Sequence, residues 1–269
     1  LPILYLYLGL GLCIGVGGSV ISGQLIGRKD RDKASSVFTE SIVTALAITL
    51  LLSAGVYLLF NPILRLLKAE GELSVFFKSY YRVMLFSYPL LVLTTIFGMF
   101  IRTDGRPQVF MGISILESVL NFILDYVFLK KLNMGVKGSA YATLIVKVVS
   151  CTICILYFLF SSKNIKIKRF SFDCAVFQQS MLNGSSEFIG EMAGAISMMA
   201  LNYVLMKYVG EGGVAAFTIL GFAVYGYNMI TIGFGQGLSP IVSVLWGKNE
   251  REEARNMRKL ASLILFVLG

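Results

Sequence analysis

Seven stretches of apolar residues, each about as long as the 20 residues needed to cross a bilayer, follow one another along the chain. They lie at roughly 1–27, 35–60, 80–101, 107–129, 138–160, 176–206 and 214–246, and an eighth begins near Leu260. In hydrocarbon every backbone N–H and C=O needs a partner inside the protein, and a single segment of that length meets the need only as an α-helix. The expected fold class is therefore an all-α polytopic membrane protein with seven spans and the start of an eighth. Composition agrees: 14% of the residues are charged, against about 25% in soluble domains, and the mean hydropathy is +0.76.

The net charge of +9 invites a nucleic-acid reading, but the basic residues are scattered over short loops and form no aromatic-interleaved face. They have a direction instead. The segments 28–34, 102–106, 161–172 and 248–259 carry 15 Lys and Arg, whereas the loops after spans two, four and six, with Arg82 included, carry 8, and the remaining one is Lys147 within a span. Cytoplasmic loops are the enriched ones, so the first set is expected to face the cytoplasm. Cys13, Cys151, Cys154 and Cys174 sit in or beside apolar stretches without a disulfide or zinc spacing, and read as reduced packing residues. With no His in the chain, a His-based metal site or general base is excluded.

The chain repeats itself. At an offset of 220 residues Gly15, Gly17, Ser19, Ile21, Leu25 and Gly27 meet Gly235, Gly237, Ser239, Ile241, Leu245 and Gly247. The charged loop follows: Arg28, Asp30, Arg31, Asp32 and Ala34 meet Lys248, Glu250, Arg251, Glu252 and Ala254. Six spans separate the copies, an even number, so the halves are parallel repeats. The span 176–206 has no counterpart before Leu1, which leads one to expect roughly 50 residues ahead of it and a whole protein of roughly 440 residues with twelve spans in two six-helix lobes. The expected division is an N-terminal lobe at 1–160 lacking its first helix, a cytoplasmic linker at 161–175, and the beginning of a second lobe at 176–269. The pairs Gly11/Gly15 and Gly233/Gly237 have the spacing that lets membrane helices approach closely, and Pro89 should disturb the third span.

Four carboxylates stand out within apolar spans: Glu117 and Asp125 in the fourth, Glu187 and Glu191 in the sixth. A lone charge there costs about 2.5–3.5 kcal/mol, so they should face protein or water. Glu117, Asn121 and Asp125 recur every four residues and share one helix face, as do Glu187 and Glu191, and as do Thr143 and Lys147 in the fifth span. Carboxylate, amide and hydroxyl oxygens together suit Na⁺, and a desolvated carboxylate suits a proton. The competing reading is purely structural: acids paired with Lys147 to hold helices together, Lys147 serving as counter-ion to Glu117 or Asp125. No G-x-x-x-x-G-K-[ST] loop is present, so pumping would have to be ion-coupled, and no catalytic triad or zinc-hydrolase motif points to an enzyme.

Several segments together resemble the multidrug and toxic compound extrusion (MATE) family. They are GGSVISGQLIGRKDRDKA (17–34), FIRTDGRPQ (100–108), ESVLNFILDYVF (117–128), GVKGSAYAT (135–143), GEGGVAAFTI (210–219) and GQGLSPIVSVLWGKNEREEAR (235–255). The resemblance runs from the second family helix to the start of the ninth. It implies a monomeric, multi-pass protein of the bacterial cytoplasmic membrane that exports amphipathic, cationic organic compounds in exchange for H⁺ or Na⁺, without a further cofactor. It also implies a cation site in the N-terminal lobe, where Asn121, Asp125 and Thr143 match three family positions and the fourth, an Asp on the first helix, precedes Leu1. Some members use instead an acid on the seventh helix with a Tyr on the eighth, for which Glu187 or Glu191 and Tyr227 are the candidates. Two rivals remain: a lipid-linked oligosaccharide flippase of the same superfamily, which needs a cationic cavity, and a non-transporting scaffold or receptor, which needs no acid stripes.

Overall fold

The computed structural model describes residues 2–60, 62, 72–170 and 172–268. Its elements are α1 (Pro2–Gly27), α2 (Arg31–Leu58), α3 (Glu72–Thr103), α4 (Pro107–Asp125), α5 (Val136–Leu156), α6 (Cys174–Tyr208), α7 (Glu211–Gly247) and α8 (Arg251–Leu268). Helices α4 and α5 each end in a wider π-helical turn, Tyr126–Lys131 and Tyr157–Ser161. Seven helices are long and apolar enough to cross a membrane, and no strand occurs among the described residues.

Several helices outrun their apolar stretches. α2 starts at Arg31, with Asp30 as its N-cap accepting a hydrogen bond from the Lys33 N–H at 3.1 Å. α3 starts at Glu72 and runs without a break through Pro89, and α8 starts at Arg251, well before Leu260. Helix hydrogen bonds are made by the backbone, so a charged turn that stands clear of the bilayer continues the helix at little cost.

α1 and α3 form the centre. α1 packs on α6, α3, α7 and α2, and α3 packs also on α5 and α2. Glycine explains the closest of these contacts: a Cβ on Gly17 would lie 1.8 Å from the Ser180 carbonyl oxygen, and one on Gly184 would lie 1.9 Å from that of Cys13. Backbone therefore meets backbone, which side chains larger than hydrogen prevent. Gly11 and Gly15 face α3 closely, a Cβ on each lying 3.4 Å from Val92 Cα and 3.3 Å from Ile96 Cα, but the expectation for Gly233 and Gly237 fails, since none of the described residues lies within 4 Å of a Cβ on either. They border a cavity instead.

The core is aromatic. Phe38, Phe97, Phe100 and Phe158 converge from α2, α3 and the turn after α5, with Phe38 centred 4.1 Å from Phe158. Tyr7 stacks on Tyr88 at 4.8 Å and its hydroxyl bonds Ser53 Oγ at 2.7 Å. By contrast Leu51, Phe86, Phe122 and Leu182 are more than 70% exposed, as residues facing acyl chains should be. Cys13, Cys151 and Cys154 are buried and free, as expected of packing residues, whereas Cys174 opens α6 and is exposed. The expectation for Cys174 fails because the helix starts where the chain leaves the linker, outside the packed core.

The two copies of the repeat, in α1 and α7, lie side by side, with Gly23 against Ser243, its own equivalent. The basic loops gather at that end. From the linker, the Lys166 N–H donates to Ser35 Oγ at 3.1 Å and the Lys168 N–H to Thr39 Oγ1 at 3.2 Å, while the Lys168 ammonium pairs with Asp32.

Candidate cation site between α4 and α5

α4 and α5 form an antiparallel hairpin, turned through Asn133 (φ 50°) and Gly135 (φ 58°). The positive φ is natural for Gly135 and tolerated by Asn133. The turn sets the register that brings the two polar faces together. Across the hairpin Lys147 Nζ donates to Glu117 Oε1 at 2.6 Å, with side-chain exposures of 16% and 20%. Of the two acids named for Lys147 from the sequence, the structure pairs it with Glu117. The attraction is strong where water is scarce, because a charge left alone at this depth costs about 2.5–3.5 kcal/mol.

Beside the pair opens a cavity of about 240 Å³ lined by Glu117, Ser118, Asn121, Thr143, Val146 and Lys147. Thr143 Oγ1 donates its proton to the Ser139 carbonyl at 3.0 Å, which turns its lone pairs outward as acceptors. One helical turn beyond Asn121 is Asp125, whose Oδ1 is buried without a hydrogen-bond partner. Tyr80 of α3 is within electrostatic reach of it. Asp125 is also the residue at which α4 widens into its π turn, and such turns occur mostly at functional positions. The arrangement is thus an acid with its counter-ion, then amide and hydroxyl oxygens, then an acid with none among the described residues.

The second set lies elsewhere. Glu187 and Glu191 are half-buried on α6 and repel one another, and Glu191 faces α1, its Cβ 3.5 Å from where a Cβ on Gly9 would be. Tyr227 belongs to α7, but its side chain is outside the described residues.

Two buried acids escaped the sequence reading. Asp104, at the α3–α4 turn, is 2% exposed and accepts from the Tyr157 hydroxyl at 2.6 Å, the Lys163 N–H at 3.0 Å and the Asn164 N–H at 2.6 Å. In sequence it belongs to a D-G turn signal, which ordinarily marks an exposed residue. Glu40 of α2 is 4% exposed with Oε1 unpartnered. It lies inside the second apolar stretch, near enough to the charged loop at 28–33 to look like its continuation; the hydrophobic neighbours Val37, Phe38 and Ile42 were the available signal.

A second, larger cavity of about 760 Å³ separates the α3–α4 turn and α4 from α7, with Arg102, Phe110, Met111, Ser114, Gly237 and Ile241 on its walls. The Arg102 guanidinium stands 4.7 Å over the Phe110 ring. The volume falls in the range of small-molecule sites, about 300–1,000 Å³.

Comparison with known proteins fits this architecture. The MatE family model matches residues 1–127. The multidrug export protein MepA of Staphylococcus saprophyticus is 27% identical over 281 residues, covering 100% of this chain and 59% of that protein. MepA of Staphylococcus aureus strain NCTC 8325 is 29% identical over 249 residues, covering 90% and 54%. Among solved structures, a multidrug resistance MATE transporter of the MOP superfamily in an outward-facing conformation superposes with a TM-score of 0.86 at 26% identity, covering 99% of this chain and 60% of that one. A MOP superfamily transporter from Pyrococcus furiosus gives 0.86 at 25%, with the same coverage. The chain therefore spans somewhat more than half the length of the relatives it matches.

Proposed function

We propose that the chain is a MATE-family protein, multi-pass in the bacterial plasma membrane, and the larger part of a secondary antiporter exporting amphipathic, cationic organic compounds in exchange for H⁺ or Na⁺. The observation that carries the reading is the contrast between Glu117, neutralised by Lys147 at 2.6 Å, and half-buried Asp125, whose Oδ1 is buried with no partner among the described residues. A protein that only needed to hold α4 against α5 would need the pair and not the extra acid. Asp125 with Asn121 and Thr143 supplies hard oxygen donors for Na⁺, and alone it supplies a proton acceptor.

Coupling follows from differential affinity: an ion that binds one state of Asp125 more tightly than the other shifts the balance between outward-open and inward-open states. The lobes then rock about a shared seam, and the cavity of about 760 Å³ between α4 and α7 is where an organic substrate would lodge, its apolar part against Phe110 and Met111. The similarity to MepA, a multidrug export protein, supports this substrate class. At the α4–α5 hairpin a flippase for an anionic lipid-linked sugar draws less support, because Lys147 there is neutralised by Glu117 and anionic groups need unpaired basic partners.

The test is efflux of a fluorescent cationic dye from cells expressing the full-length protein, with proton and sodium gradients collapsed separately. Efflux that stops with one gradient supports the reading and names the ion. Efflux indifferent to both gradients, or unchanged by Asp125→Asn, overturns it.

A further inference from the structure

Away from the α4–α5 hairpin, at the end where the basic loops gather, a cavity of about 390 Å³ lies between α1, α2 and the beginning of α6. Glu40 lines it, 4% exposed, with Oε1 lacking any hydrogen bond. Asp173 lines the same cavity. Asp173 is itself committed to capping α6, its Oδ1 accepting from the Ala175 N–H at 2.9 Å. The cations of the lining, Arg28 and Lys33, are exposed, and Lys33 pairs with Asp30 at 3.5 Å. A buried carboxylate beside a second one, with no cation against it, is an arrangement that folding alone disfavours.

The rest of the lining supplies what such a carboxylate lacks. Gln24 of α1, Ser36 of α2 and Gln179 of α6 contribute neutral oxygens from three helices. These are all hard donors, with no thiol or imidazole among them, and hard donors select alkali and alkaline-earth ions. Charge narrows the choice. Arg28 and Lys33 at the exposed rim offset part of the charge of Glu40 and Asp173, Lys33 being shared with Asp30, and the N-terminal end of α6 adds partial positive charge, so the deficit left at Glu40 suits one positive charge better than two. The space would hold about a dozen waters at roughly 30 Å³ each, enough for an ion to keep part of its hydration shell.

We infer that the cavity between α1, α2 and the start of α6 is a second cation site, in which a monovalent alkali ion sits against Glu40 and is completed by Gln24, Ser36, Gln179 and water. The ion bridges α2 and α6, the helix that begins where the linker ends. It thereby joins the two halves of the repeat at their basic end. The site is separate in space and in residues from the one at Asp125.

Binding of radiolabelled Na⁺ and Rb⁺ to the purified full-length protein, against N-methylglucamine as the inert cation, tests this. Glu40→Gln should remove about one bound equivalent of Na⁺, Rb⁺ or both, the label that falls naming the ion the site takes. Ser36→Ala and Gln179→Leu should weaken affinity threefold or more without changing the count. Binding by Glu40→Gln equal to the parent overturns the site and leaves a proton as the compensating charge. A loss in Glu40→Gln with unaltered affinity in both lining variants also overturns it, because the ion then lies elsewhere. If Glu40→Gln does not fold, Gln179→Leu decides alone: parent affinity overturns the site. Asp125→Asn, measured in parallel, keeps the two proposals distinguishable, since a count lowered by Glu40→Gln and not by Asp125→Asn upholds this site while removing Na⁺ from the other.

Discussion

Gly27 and Gly247 are each other's mirror in the packing of α1 against α7. A Cβ on Gly27 would lie 2.3 Å from the Val244 carbonyl oxygen, and a Cβ on Gly247 would lie 2.1 Å from that of Gln24. Residues 27 and 247, and 24 and 244, are equivalent at the 220-residue offset of the repeat. Contacts that exchange under the repeat mark a pseudo-two-fold axis between parallel helices, the same self-complementarity that an isologous dimer interface has. Gly23 against Ser243, a residue touching its own equivalent, lies on that axis.

Because both clashes are with backbone, neither can be relieved by turning a side chain. Gly27→Ala and Gly247→Ala should each destabilise the full-length protein by about 1–3 kcal/mol, the usual cost of overpacking. Gly112→Ala is the control: open space surrounds that position, and alanine favours a helix by about 0.8–1.0 kcal/mol over glycine. Thermal unfolding in detergent checks all three, and equal midpoints would remove the reciprocal contact from the account of stability.

Removing one member of the Glu117–Lys147 pair strands the other. Breaking a buried pair costs about 3–5 kcal/mol, and the residual exposure of 16–20% argues for the lower part of that range. Lys147→Met should therefore lower stability by about 3 kcal/mol, and Glu117→Gln combined with Lys147→Met should recover most of it. A double-mutant cycle reads the coupling directly.

Asp125 predicts the opposite pattern. Its Oδ1 makes no hydrogen bond, so Asp125→Asn should leave the unfolding midpoint equal to or above that of the parent while gradient-driven dye efflux falls tenfold or more. Loss of both together would assign Asp125 a structural role.

Asp104 is a latch. Asp104→Ala leaves two backbone N–H groups and the Tyr157 hydroxyl without their acceptor, each worth about 1–3 kcal/mol when left unsatisfied. The linker should loosen, and trypsin should cut at Lys163, Lys166, Lys168 or Arg169 at least several-fold faster than in the parent. Tyr157→Phe, which removes one bond of the three, should have a smaller effect.

Much of this protein was legible in its residues, and the reason is that those features are local or additive. A span is a sum of transfer energies over about 20 residues, and the repeat is a comparison of the chain with itself. The stripe of Glu117, Asn121 and Asp125 needed only the helical period. What the sequence left open was every question of partnership. It offered Lys147 two acids and could not choose, because the choice depends on the register that Asn133 and Gly135 give the hairpin. It could not separate Gly27, pressed against a carbonyl, from Gly233, which borders a cavity. It passed over Glu40 and Asp104, since a carboxylate next to a charged loop looks solvated until residues 163–168 of the linker are seen to fold back over α2 and the α3–α4 turn. Burial, pairing and close approach are decided by segments far apart in the chain, and only the tertiary structure says which of them meet.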